Sequence, residues 1–175
     1  RSIELREQTT EAVEDAMVQA RTQARQIRAD VREKADELQE RGQAVLDEQG
    51  LTLEKILLTH AHVDHAGATA ELARRTGVPI EGPHPGDQYW IDALAEHGKR
   101  YGFEYAEAFE PTRWWNQGDV VTVGNETFEV RYCPGHTPGH VVFFNKAARL
   151  ALVGDVLFQG SIGRTDFPGG NHDDL

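Results

Sequence analysis

The chain has 175 residues, of which 29 are acidic and 18 basic, giving a formal net charge of −11. That balance excludes a general nucleic-acid surface, whose affinity comes from clustered Lys and Arg facing phosphates. One cysteine, Cys133, rules out an internal disulfide framework and fits a reducing, cytoplasmic compartment. No run of about 18 apolar residues offers a membrane span. The start, Arg1-Ser2-Ile3-Glu4, lacks both the apolar core of a secretory signal and an initiator methionine, which reads as a fragment or processed product.

Residues 1–49 contain no aromatic side chain and no proline and are dense in Ala, Gln, Glu and Arg. Such composition predicts one long amphipathic helix, or two with a break at Gly42. Apolar or small residues fall at Val13, Met17, Ala20, Ala24, Ile27, Val31, Leu38 and Val45, and the spacing from Val13 to Val31 is that of a coiled-coil seam. Lys34 and Arg41 interrupt the pattern. Two readings stay open, a solvated surface helix and an arm for self-association. The composition changes near Gly50, which divides the chain into an arm, 1–49, and a second domain, 50–175.

The second domain opens on an apolar run, Ile56-Leu57-Leu58, that leads into Thr59-His60-Ala61-His62-Val63-Asp64-His65. Three histidines and an aspartate within six positions form a donor set for a divalent cation, zinc first and iron or manganese as alternatives. On a strand, His60 and His62 would share a face, with a turn re-aiming Asp64 and His65. A helix is predicted over Ala66–Arg75, ending near Gly77, then a short buried strand at Val78–Ile80 and a second helix from Asp87 to Lys99. Four strands follow, Val120–Val123, Thr127–Tyr132, Val141–Phe144 and Leu150–Val153, with turns at Gly124-Asn125 and Asn145-Lys146. Helices and strands in this order predict an α/β fold.

Two more candidate donors sit just past strands. His136 lies in Cys133-Pro134-Gly135-His136-Thr137-Pro138-Gly139-His140, where glycine and proline suit a tight turn. Asp155 follows Gly154 after Leu150-Ala151-Leu152-Val153. Each is weak evidence alone; their order after the histidine loop gives them force. Cys133 reads as a buried, small apolar residue on a strand, and His84 and His97 as surface histidines.

From about Leu51 to Leu175 the chain resembles the metallo-β-lactamase superfamily, and within it the glyoxalase II-like (hydroxyacylglutathione hydrolase-like) enzymes. The resemblance rests on His60 to His65, on Gly135-His136-Thr137-Pro138-Gly139-His140, and on Gly154-Asp155 through Gly163-Arg164-Thr165-Asp166-Phe167. It implies an α/β/β/α sandwich, incomplete here and preceded by the helical arm. It also implies one metal held by His60, His62 and His136 and a second by Asp64 and His65, with Asp155 bridging. The family's last ligand, a histidine from further along, has no counterpart before Leu175, and His172 reads as a tail residue. With Asp64, His65 and Asp155 alone, the second metal would need water or a partner chain, so one zinc ion or two are expected, with iron as the alternative.

The function this implies is hydrolysis of a thioester or related small acyl substrate by a metal-bound hydroxide, weakened by truncation, with Asp64 as orienter and proton acceptor. His140 is expected to hold the His136 turn, and Arg164 to pair with Asp166 or meet a substrate carboxylate. A mononuclear iron persulfide dioxygenase is the first alternative, because that branch shares the Gly163–Phe167 segment. The second is an inactive remnant acting through helix association. The family's first strands are replaced in sequence by the arm, so either the arm or a second copy of the chain is expected to cover the sheet, the latter making a homo-oligomer.

Overall fold

The computed structural model describes residues 17–19, 21–23, 25, 26, 29, 33, 37, 40–103 and 105–175. The chain divides into two units, Arg1–Thr52 and Leu53–Leu175.

In the first unit the described residues up to 48 are helical, and residues 40–48 are helical without interruption. Gly42 therefore does not break the helix. Nothing lies within 4 Å of the place its side chain would take, and an exposed helical glycine costs only about 1 kcal/mol relative to alanine. Met17 and Val45 are exposed. The other seam positions, Val13, Ala20, Ala24, Ile27, Val31 and Leu38, and the interrupting Lys34, lie outside the described residues.

The second unit begins with a short parallel pair, β1 (Ile56–Leu57) and β2 (Ile80–Glu81), in the register Ile56 to Ile80 and Leu57 to Glu81. Side-chain alternation along this strand serves two cores at once. Leu58, with Ile56 beside it, joins a cluster containing Ala61, Ala66, Ile80, Trp90, Ile91 and Leu94. Leu57 points to a second cluster of Trp115, Val121, Phe128, Val130, Val141 and Phe143.

Helices supply the first cluster. After β1 come α1 (Val63–Ala66) and α2 (Thr69–Thr76). The expected single helix thus starts earlier and is divided, and α2 stops where Gly77 takes a left-handed φ of 73°. The predicted helix from Asp87 to Lys99 is likewise two helices, α3 (Gln88–Asp92) and α4 (Leu94–Tyr101), meeting at Ala93. Gly102, at φ 86°, ends α4.

A four-stranded antiparallel meander supplies the second cluster: β3 (Val120–Val123), β4 (Glu126–Tyr132), β5 (Val141–Asn145) and β6 (Leu150–Leu152), paired in that order. β5 is the most buried, with four of its five residues inaccessible, whereas β6 is exposed along its length. A two-stranded hairpin that the periodicity did not predict, β7 (Leu157–Phe158) with β8 (Ser161–Ile162), closes the region after Asp155. Its strands are two residues each, too short for an alternating pattern to register.

Candidate metal centre

The strand expected to carry His60 and His62 ends before reaching them. Leu58 still donates its amide to Glu81, but beyond it the backbone leaves the ladder. The Thr59 carbonyl accepts from the Val141 amide, and the Ala61 amide donates to an Asp87 carboxylate oxygen at 2.9 Å. His60 and His62 therefore converge through a loop pinned at both sides, not through strand alternation. Asp64 and His65 follow on α1. Neighbouring helix positions diverge, which leaves the Asp64 side chain 65% exposed and turns His65 toward the site at 32%.

The loop after β4 delivers His136, buried at 3% exposure. Its Nδ1 donates to the Arg164 carbonyl at 2.7 Å, which leaves the Nε2 lone pair free to face inward. That Nε2 lies 2.9 Å from His62 Nδ1. His60 is oriented in a similar way: its Nδ1 meets the Thr59 hydroxyl at 3.1 Å, and its buried Nε2 has no hydrogen-bond partner among the described residues.

Asp155 stands across from these rings. One of its oxygens is 3.2 Å from His65 Nε2 and the other 3.4 Å from His136 Nε2. Two donor groups result, His60 with His62 and His136, and His60 with His65 and Asp155, each with its ligand atoms within 4.8 Å of one another. Asp64 falls in neither group; its carboxylate stands 3.6 Å from His65 Nε2. His172 is exposed and in neither group as well.

Electrostatics keep these rings neutral. Burial, then repulsion from His140, His65, His62 and His136, holds His60 far below the usual imidazole range. Burial, reinforced by His136, His65 and His97, lowers His62 to about 3. Rings that stay neutral offer lone pairs, and a partnerless buried Nε2 on His60 is costly unless something accepts its electrons. Neutral imidazoles with one carboxylate are the donor chemistry of zinc or iron, so these residues fit a bound divalent cation.

His140 differs from its expected role. Its ring does not hold the His136 turn; its Nε2 accepts from the Asp155 amide at 3.1 Å while the ring stacks on His60 at 4.6 Å. Burial and then the His136, His65 and His62 rings lower it to about 3. It thus fixes the backbone that carries the Asp155 carboxylate. Beside the donor groups lies a cavity of about 790 Å³, lined by His62, Asp64, His136 and Asp155 and by aromatic side chains including Tyr89 and Phe158. Arg164 also lines it and forms a two-bond fork with Asp166, at 2.9 and 2.8 Å.

The family model described as the metallo-beta-lactamase superfamily matches residues 30–175. The chain belongs to the metallo-beta-lactamase superfamily. It is 44% identical over 131 residues to a protein of Haemophilus influenzae named hydroxyacylglutathione hydrolase GloC, covering 74% of this chain and 62% of that one. Among solved structures it is similar to TTHA1623 in a di-iron-bound form, at 34% identity and a TM-score of 0.67, covering 77% of this chain and 66% of that one. ETHE1 from Myxococcus xanthus is another neighbour, at 29% identity and a TM-score of 0.59, covering 77% and 50%. The chain therefore spans less than two thirds of the Haemophilus relative's length. The glyoxalase II-like resemblance stands on these relatives, and the mixed fold is the superfamily's sandwich, present in part. No helix among the described residues is long and apolar enough to cross a membrane.

Residue-by-residue reading missed Asp87. This carboxylate is wholly buried and accepts from the Ala61 amide, the Thr137 hydroxyl and the Gly139 amide at 2.9, 2.9 and 2.6 Å. Burial pushes it up to about 6 against the pull of those three bonds. In sequence it looked like the start of a helix. The available signal was its setting, Gly82-Pro83-His84-Pro85-Gly86-Asp87, where turn-forming residues precede an acidic one.

Proposed function

We propose that the chain is a metal-dependent hydrolase of small acyl thioesters, glyoxalase II-like, with His60, His62 and His136 holding one cation and His65 and Asp155 contributing to a second. The observation that carries this reading is the meeting of His62 and His136 nitrogens beside Asp155 at the edge of a ligand-sized cavity. Zinc suits the donor set, and iron is the alternative. When bound, the cation supplies Lewis acidity that polarises a carbonyl and acidifies water.

The protein's own groups do the rest. The Asp64 carboxylate, exposed on the cavity, orients water and accepts its proton. His140 keeps the Asp155 backbone in place, and the Arg164 carbonyl keeps His136 in the tautomer that turns Nε2 inward. Aromatic side chains give the cavity apolar walls against which an acyl group can pack. Arg164, already forked to Asp166, is poised at the cavity to meet a substrate carboxylate.

The test pairs elemental analysis with turnover of a hydroxyacylglutathione thioester. Stoichiometric zinc and thioester cleavage that both vanish in His136→Ala support the reading; metal retained in that variant defeats it. A second reading, a mononuclear iron persulfide dioxygenase, is favoured by the Gly163–Phe167 segment and by the likeness to ETHE1. Iron as the bound metal, with oxygen uptake on a persulfide and no thioester cleavage, would select it. The arm and domain boundary near Gly50, self-association through the arm, and a cytoplasmic location supported by the single Cys133 are proposals of the same kind. Solution mass with and without residues 1–49 tests the arm.

A further inference from the structure

We propose that Asp87 is a positioning residue for this metal centre, a buried clamp that sets the distance between the loop carrying His60 and His62 and the loop carrying His136. The proposal rests on the reading of those three histidines as ligands of one cation.

Ala61 lies between His60 and His62, and Thr137 directly follows His136. One oxygen of Asp87 accepts from both the Ala61 amide and the Thr137 hydroxyl, while the other accepts from the Gly139 amide. Neither ligand loop is tied to the other by a strand ladder at these positions. Beside the Thr59 carbonyl, which accepts from the Val141 amide, the Asp87 carboxylate is the side chain that bonds both loops right at the ligand positions. A shift of one loop against the other would change the gap between His62 and His136, now 2.9 Å between facing nitrogens.

The turn carrying Asp87 is docked so closely that its position is not adjustable. A side chain on Gly139 would collide with the Asp87 amide, and one on Gly86 would come within 2.6 Å of the Pro138 carbonyl. The His84 amide donates to the Gly139 carbonyl at 3.1 Å, completing a two-way exchange between the turns.

Chemistry makes the carboxylate specific. All three partners are donors, so both oxygens must accept. Asparagine has the same shape, but its amide group would set N–H against the Ala61 amide in one orientation and against the Gly139 amide in the other. A buried, charged hydrogen-bond acceptor is costly to desolvate. Core packing alone would be served by an apolar residue, so a positioning role accounts for the charge.

The experiment measures Zn²⁺ affinity of the full chain by competition with a chromophoric chelator and records the absorption spectrum of the Co²⁺-loaded protein. Asp87→Asn is expected to weaken Zn²⁺ binding about ten- to hundredfold, as loss of groups that orient metal ligands does, and to shift the Co²⁺ bands while circular dichroism stays native. Unchanged affinity and an unchanged Co²⁺ spectrum in folded Asp87→Asn would overturn the proposal and leave Asp87 a packing residue. Should that variant not fold, Thr137→Val removes one clamp bond at constant shape, and Thr137→Ser restores it. Weakened Zn²⁺ binding with shifted bands in the valine variant, recovered in the serine variant, supports the clamp, and wild-type behaviour of the valine variant overturns it. His136→Ala separates the two levels of argument. If it retains Zn²⁺, the ligand reading itself fails and the clamp fails with it; if it loses Zn²⁺ while the clamp variants do not, only the clamp fails.

Discussion

His136 Nε2 faces His62 Nδ1 at 2.9 Å across 74 residues of sequence. The Arg164 carbonyl accepts a hydrogen bond from the Nδ1–H of His136, so this approach brings the Nε2 lone pair toward His62. Removing either ring removes a direct donor. Loss of a supporting group costs about ten- to hundredfold in metal affinity, and a lost ligand costs at least that much. His62→Ala and His136→Ala are each expected to bring bound zinc to near background by elemental analysis after dialysis, with far-ultraviolet circular dichroism unchanged.

Acid is expected to destabilise the metal-free protein. His62 and His140 sit at about 3 and His60 lower, against the ordinary 6.5, chiefly because they are buried. Above pH 6.5 these rings are neutral whether the chain is folded or not. Below it the unfolded chain binds protons that the folded chain refuses, at about 1.4 kcal/mol per pH unit for each ring. Asp87 acts in the opposite sense: raised from 3.8 to about 6, it holds a proton in the folded state that the unfolded state has released, so its contribution falls as pH rises through that window. Three rings outweigh one carboxyl. Thermal unfolding in chelator should give a midpoint that drops steadily from pH 7 to pH 5, and a midpoint that rose on acidification would contradict the neutral buried cluster.

The sequence made the candidate donors legible because they cluster: His60, His62 and His65 lie within six positions, and His136 and Asp155 each follow a strand, whereas Asp64, grouped with them by the same spacing, falls in neither donor group. The meander was legible for a related reason, since strands such as β4 and β5 carry their own pattern and turns. Less visible were features decided by distant backbone groups. Strand alternation gave the wrong route for His60 and His62, because the amide of Ala61 is taken by Asp87 and the Thr59 carbonyl by Val141. His140 went to the Asp155 amide, a partner that no local spacing encodes. The division of the α3–α4 segment at Ala93 has no counterpart in the sequence pattern, as alanine is a strong helix former.

The core of the meander and the β7–β8 hairpin make a separable stability prediction. Phe143 is 2% exposed in the core of the meander, and Phe143→Ala should destabilise the chain by about 3–5 kcal/mol. Leu157, at the hairpin, is 58% exposed, and Leu157→Ala should fall within about 0.5 kcal/mol of the parent. Urea unfolding monitored by tryptophan fluorescence measures both. Equal losses would mean that β7 is covered in solution by something beyond these contacts.

Asp64 offers the sharpest separation of binding from chemistry. Its carboxylate belongs to neither donor group and is largely exposed at the cavity, while the ligand atoms of His60, His62 and His136 converge without it. Asp64→Asn preserves size and removes the base. Positioned proton transfer contributes about 10²- to 10⁴-fold, so kcat for thioester cleavage should fall by that range while the first equivalent of zinc stays bound. Asp64→Glu, which restores a carboxylate one methylene further out, should recover part of the loss. Zinc content and kcat measured on the same preparations decide the matter: if both fall together in Asp64→Asn, Asp64 is a metal ligand first and its role as proton acceptor has no independent support.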